Sequence, residues 1–101
     1  MPLTGSEKKY LRGLAHPLKP VVFIGQKGII LSVIKALDEA FDQHELIKVK
    51  FQEFKEKVEK QNIIHEIEEK TGALLCGLIG HTAIFFRQNP DPEQQKIHLP
   101  G

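Results

Sequence analysis

Between Pro20 and Ser32 the chain reads Pro-Val-Val-Phe-Ile-Gly-Gln-Lys-Gly-Ile-Ile-Leu-Ser, and this run limits the possible folds more than any other. Val21 to Ile24 are β-branched or aromatic, which fits a pleated strand, while the apolar residues beyond Gly28 recur at helical spacing. The change from one period to the other must fall within Gly25-Gln26-Lys27-Gly28. The run therefore predicts a strand that turns sharply into a helix. Glycine reaches backbone angles closed to other residues, and the first N–H groups of a helix point outward at the positive end of its dipole. With Lys27 at the tip, such a turn has the chemistry to receive a phosphate group. The same residues also fit a plain connection whose lysine is only solvated.

The spacing alone decides little, because with 8 glycines in 101 residues a Gly-x-x-Gly pattern arises readily by chance. A second copy, Gly77-Leu78-Ile79-Gly80, has an apolar interior inside a strand-like run and is expected to mark close backbone packing and a turn.

Thr4-Gly5-Ser6-Glu7 has the form of a capping box, so a helix should run from there to about His16. It should bury Leu11, Leu14 and Ala15, with Leu3 and Leu18 as further candidates, and gather Lys8, Lys9 and Arg12 on another face. Pro17 and Pro20 end it and lead into a strand over Val21 to Ile24, which keeps Lys19 near the turn. A second helix follows, with Val33, Ile34, Leu37, Ala40 and Phe41 on one face. Leu46 to Phe51 alternates: Ile47, Val49 and Phe51 face one way, Leu46, Lys48 and Lys50 the other. The charged segment Gln52 to Lys60 has no strong period, so the start of the third helix is open; Ile63, Ile64 and Ile67 define it and Gly72 stops it. Leu74 to Ile79 and Thr82 to Arg87 form a hairpin about Gly80-His81, glycine first as a type II′ turn prefers. Both strands are apolar on both faces and should be central or covered. Residues 88–101 read as a loop and a docked tail. The order αβαβαββ specifies one compact α/β (α+β) domain over residues 1–101, with a four-stranded mixed sheet. Its first three strands run parallel and the fourth is antiparallel to its hairpin partner.

A chain of this length buries a core without a disulfide or cofactor, and 41% apolar with 27% charged residues is ordinary globular composition. The lone Cys76 lies among apolar residues and is expected in the core. The N-terminus lacks an apolar signal core and no apolar run is long enough for a membrane helix, so a cytoplasmic protein with no membrane partner is expected. Net charge is +1, yet through Lys35 six basic residues stand against Glu7 alone, and from Ala36 onward eight basic stand against twelve acidic. This asymmetry predicts a basic face built on the N-terminal third, although a solvated basic helix would leave the same trace. His-Glu-x-x-His, paired cysteines and Gly-x-Ser-x-Gly are all absent, and His44-Glu45 and His65-Glu66 read as helix-end or surface pairs. No enzymatic activity, metal or cofactor is expected.

The blocks Leu11 to Val22, Ile24-Gly25-Gln26-Lys27-Gly28 and His44 to Lys50, with Thr71-Gly72, Ile79-Gly80 and Phe86-Arg87 behind them, resemble the CRM domain, named for chloroplast RNA splicing and ribosome maturation. Over nearly its full length the chain is similar to the stand-alone bacterial YhbY-type proteins. The resemblance implies an RNA-binding domain whose fold is similar to the C-terminal domain of the bacterial third initiation factor. It also implies ribosomal RNA in precursors of the large ribosomal subunit as partner, a role in their assembly, and contact through the Gly-x-x-Gly loop as in the backbone clamp of KH domains. The chain departs from that pattern twice. Ile30 stands where a threonine-like helix cap worth about 1 kcal/mol is usual, with Ser32 as a substitute cap, and Phe86 stands where tyrosine is common.

The residues expected to contact RNA are Gly25, Gln26, Lys27 and Gly28 in the loop, Lys8, Lys9, Arg12 and Lys19 extending the positive surface, and His16, Lys48 and Arg87 at its margins, with His16 equally suited to cap the first helix. Phosphate contacts of this kind position a protein without reading sequence. The rival expectation is a protein-interaction module in which Ile30 and Leu31 dock a ribosomal protein.

Overall fold

The capping box forms as its residues dictate: Thr4 Oγ1 accepts from the Glu7 N–H at 3.1 Å and Glu7 Oε1 accepts from the Thr4 N–H at 2.9 Å. It opens helix α1, Gly5–Ala15, in a computed structural model that describes residues 2–52 and 56–100. Strand β1, Val22–Ile24, helix α2, Leu31–Gln43, and strand β2, Leu46–Phe51, come next. Helix α3, Lys57–Thr71, strands β3, Leu74–Ile79, and β4, Thr82–Phe86, and a 3-10 turn, Pro92–Gln94, complete the order. Residues 53–55 of the segment whose helix start was open lie outside the described residues. Gly72 ends α3 in the left-handed conformation at φ 76°, as its position predicts.

The sheet order is β1-β2-β4-β3, with β1 parallel to β2 and β4 antiparallel to both of its neighbours. The first three strands therefore share one direction, and the hairpin places β4 in the interior and β3 at an edge. Alternation along β2 splits the interior in two. Ile47, Val49 and Phe51 join Val22, Ile24, Ala83 and Phe85 beneath α2 and α3, whereas Leu46 joins Ile84, Phe86 and Cys76 beneath α1. Each fully buried Leu, Ile or Phe side chain contributes about 1.5–3 kcal/mol.

Three local expectations need correction. Leu14 and Leu18 are each 40% exposed, because α1 meets the sheet through Leu11 and Ala15 while Leu3, Ile97 and Leu99 fill the rest of that core. Ser32 does not cap α2; the helix starts at Leu31, and its N-cap Ile30 has no side-chain acceptor to offer. Glu45 follows the C-cap His44 at the end of α2, one of its two expected places, but it is not at the surface. It is buried at 6% exposure, and its carboxylate accepts the N–H groups of Asn89 at 2.7 Å and of Lys96 and Ile97 at 2.8 Å each, which fastens the tail. Burial alone would raise its pKa, but those hydrogen bonds and the nearby His98 charge outweigh it and hold the carboxyl below its usual value.

Candidate functional site

The stretch after β1 folds as a hydrogen-bonded turn, with the Gly28 N–H donating to the Gly25 carbonyl at 3.1 Å. Gln26 and Lys27 form its exposed tip. Gly28 sits at φ 68°, a left-handed conformation that a side chain would strain; Gly25 does not. Because Ile30 leaves α2 uncapped, the Leu31 and Ser32 N–H groups join those of Gln26 and Lys27 in having no hydrogen-bond partner among the described residues. No acidic residue occupies the first turn of α2. The missing cap thus leaves main-chain donors open at the positive end of a helix, next to a lysine.

The remaining cations divide by layer. The charges of Lys8 and Arg12 both act on Cys76, and Arg12 Nη1 donates to the Cys76 carbonyl at 2.9 Å across the edge strand β3. Burial dominates that thiol and pushes its pKa up to about 12, which keeps it protonated as a core residue. Gly77 makes this path possible, since a Cβ there would stand 2.7 Å from Arg12 Cδ. Lys9 is exposed farther round α1, beside Tyr10 and Gly13. Lys19 is exposed in the lead-in to β1. His16 is the C-cap of α1 and is exposed. Lys48 Nζ donates to the His16 and Leu18 carbonyls at 3.2 and 3.0 Å, so it holds the end of α1 to the sheet as well as contributing charge. Arg12, Lys8 and Lys48 thus lie on the α1 side of the sheet, Lys9 and His16 belong to α1 and its end, and Lys19 and Lys27 stand in the segments that lead into and out of β1. The opposite layer differs in sign: α2 and α3 together carry four basic and seven acidic residues.

Arg87 is not brought to this surface. It follows the far end of β4, donates to Asp38 at 3.4 Å, Asp42 at 3.5 Å and the Thr71 carbonyl at 3.1 Å, and stacks on the Phe41 ring at 4.9 Å. Sequence reasoning passed over Lys50 and Phe23. Lys50 follows from the alternation that already places Lys48, whereas β1 is too short for its pattern to reveal an exposed aromatic ring. Among the described residues no group of three or more His, Cys, Asp and Glu side chains could hold a metal ion, and no helix is long and apolar enough to cross a membrane.

The CRS1/YhbY (CRM) domain profile matches residues 3–87, which include α1, the loop and the whole sheet. The chain belongs to the CRS1/YhbY (CRM) family. Among similar proteins, a Haemophilus influenzae protein named "RNA-binding protein" is 39% identical over 98 residues, covering 97% of this chain and 95% of its own. The Bacillus subtilis "Probable RNA-binding protein YqeI" is 32% identical over 98 residues, covering 97% and 99%. The solution structure of SAV1595 from Staphylococcus aureus superposes with a TM-score of 0.78 at 33% identity, covering 97% of this chain and 99% of that one. In this CRM chain the second glycine of the loop carries the conformational demand, and the residue at the cap position, Ile30, supplies none of the usual capping.

Proposed function

We propose that this CRM domain binds RNA by gripping its sugar-phosphate backbone with the Gly25-Gln26-Lys27-Gly28 turn and the cations of the α1 side. The observation that carries the reading is the row of N–H groups at the loop and the uncapped start of α2 that have no partner among the described residues, beside Lys27 after β1, in a molecule whose α1 layer is basic and whose α2 and α3 layer is acid-rich. Gly28 gives the turn its shape, Gln26 hydrogen-bonds sugar or phosphate, and Lys8, Lys9, Arg12, His16 and Lys19 extend the surface. Lys48 serves it mainly by fixing the end of α1. The names of the relatives support RNA as the partner. Ribosomal RNA in a precursor of the large subunit, with a cytoplasmic role in assembly, is the finer form of this reading. A sucrose gradient of cell extract should show the protein with large-subunit particles at low salt and free of them after RNase.

Replacing Gln26 and Lys27 with aspartate tests the loop. RNA affinity in a fluorescence-anisotropy titration should fall below detection while the melting temperature and circular dichroism stay as they are; unchanged affinity would remove the loop from the mechanism. A second reading has one observation in its favour, the 81% exposure of Leu31 beside Ile30 at 41%, an apolar pair suited to a ribosomal protein. Co-migration that survives both RNase and high salt would support it instead.

A further inference from the structure

Helix α1 packs against β2, β3 and β4 and leaves one end of that face open. There a single row of residues crosses all four strands in register: Phe23 of β1 beside Lys50 of β2, Lys50 beside Thr82 of β4, and Thr82 beside Ile79 of β3. The flanking residues Val22, Ile24, Val49, Phe51 and Ala83 point into the core under α2 and α3, so strand alternation turns the whole row to the other face. Phe23 is 47% and Ile79 64% exposed. One step down the strands, toward α1, a cleft of about 280 Å³ is lined by Arg12, His16, Lys48, Thr82 and Ile79, among others, with no acidic side chain among the described residues of its wall. Phe23 stands two residues before the loop glycine Gly25.

We propose that this row is a base-stacking platform: an unpaired nucleotide of the RNA strand held by the loop lays its base on the Phe23 ring and its phosphate on Lys50. The proposal rests on the loop reading above and adds to it the class of RNA, one with single-stranded nucleotides at the contact. Charge decides between occupants. An apolar protein surface placed on this face would bury the Lys50 ammonium without a partner, an unfavourable desolvation. A nucleotide covers the ring with a π-face and pairs the ammonium with a phosphate at the same time, and it does so with any base. The cleft next to the row, walled by Arg12, His16 and Lys48, is placed to take the next nucleotide along.

The chain contains no tryptophan, so Phe23→Trp creates a single fluorescent reporter on the platform. A short single-stranded RNA should quench that indole, and Phe23→Ala and Phe23→Leu should weaken binding of the same RNA about five- to hundred-fold while melting like the parent. An abasic ribose-phosphate strand of equal length should bind parent and variants alike and quench nothing. If Phe23→Ala binds the single strand as the parent does and the indole is not quenched, while the Gln26 and Lys27 aspartate variant still loses affinity, the platform is overturned and the loop reading stands. If neither strand binds the parent, both fall. Self-association in sedimentation that disappears with Phe23→Ala would assign this face to a second copy of the chain and equally overturn the platform.

Discussion

Gly77 and Arg12 show how one residue's size places another's charge. The arginine crosses β3 because nothing projects from position 77, and its guanidinium then finds the Cys76 carbonyl at the irregularity between Leu75 and Gly77. Gly77→Ala should push the Arg12 side chain away and break that bond, costing about 1 kcal/mol in a denaturant titration and weakening RNA binding as Arg12→Ala would. The expectation that Gly77 to Gly80 marks close packing and a turn therefore holds at both ends, since Gly80 takes φ 60° in the hairpin. Gly77 meets a side chain and Gly80 turns the backbone; the loop copy needs its second glycine for φ alone. A shared spacing hides different physical demands, which is why the pattern by itself carried so little.

At the scale of elements, the tail is held by an acid whose sequence neighbourhood marks it only as a helix-end or surface residue. Three N–H groups converge on Glu45, and its carboxyl is depressed as a result. The sign follows from the direction of the shift. A folded-state value below the unfolded one means the stabilisation is complete at neutral pH, above the ordinary carboxylate value, and is lost as pH falls through that value toward the lower folded one. The protection factors of the Lys96 and Ile97 amides, the intrinsic exchange rate at each pH divided by the observed rate, should therefore fall on acidification, and Glu45→Gln should remove the effect while destabilising the protein by about 2 kcal/mol. Protection that keeps its neutral-pH level would show that something else holds the tail. Helix boundaries were more legible, because capping boxes and C-terminal glycines act through residues a few positions apart, and Thr4, Glu7 and Gly72 each act as their spacing predicts.

For the whole molecule, charge is sorted by layer, with cations of α1 and β2 on one side of the sheet and the acid-rich α2 and α3 on the other. If four to six phosphates meet the basic layer, log affinity against log salt for a single-stranded RNA should have a slope of about −3 to −4. Reversing Asp38 or Glu66 on the acidic layer should leave that slope unchanged, and a flat salt response would contradict the backbone grip. The one-dimensional sequence determined the order of elements, the caps at Thr4 and Gly72 and most of the two cores, because those depend on spacings of two, three and four residues. It also showed that basic residues gather early in the chain and acidic ones late. Tertiary structure alone decided that Arg87 turns to Asp38 and Asp42, that Glu45 faces the tail, and that Phe23 and Lys50 stand side by side in an open row. Those outcomes depend on which strands become neighbours and where a helix ends over a sheet, and local spacing carries no record of either.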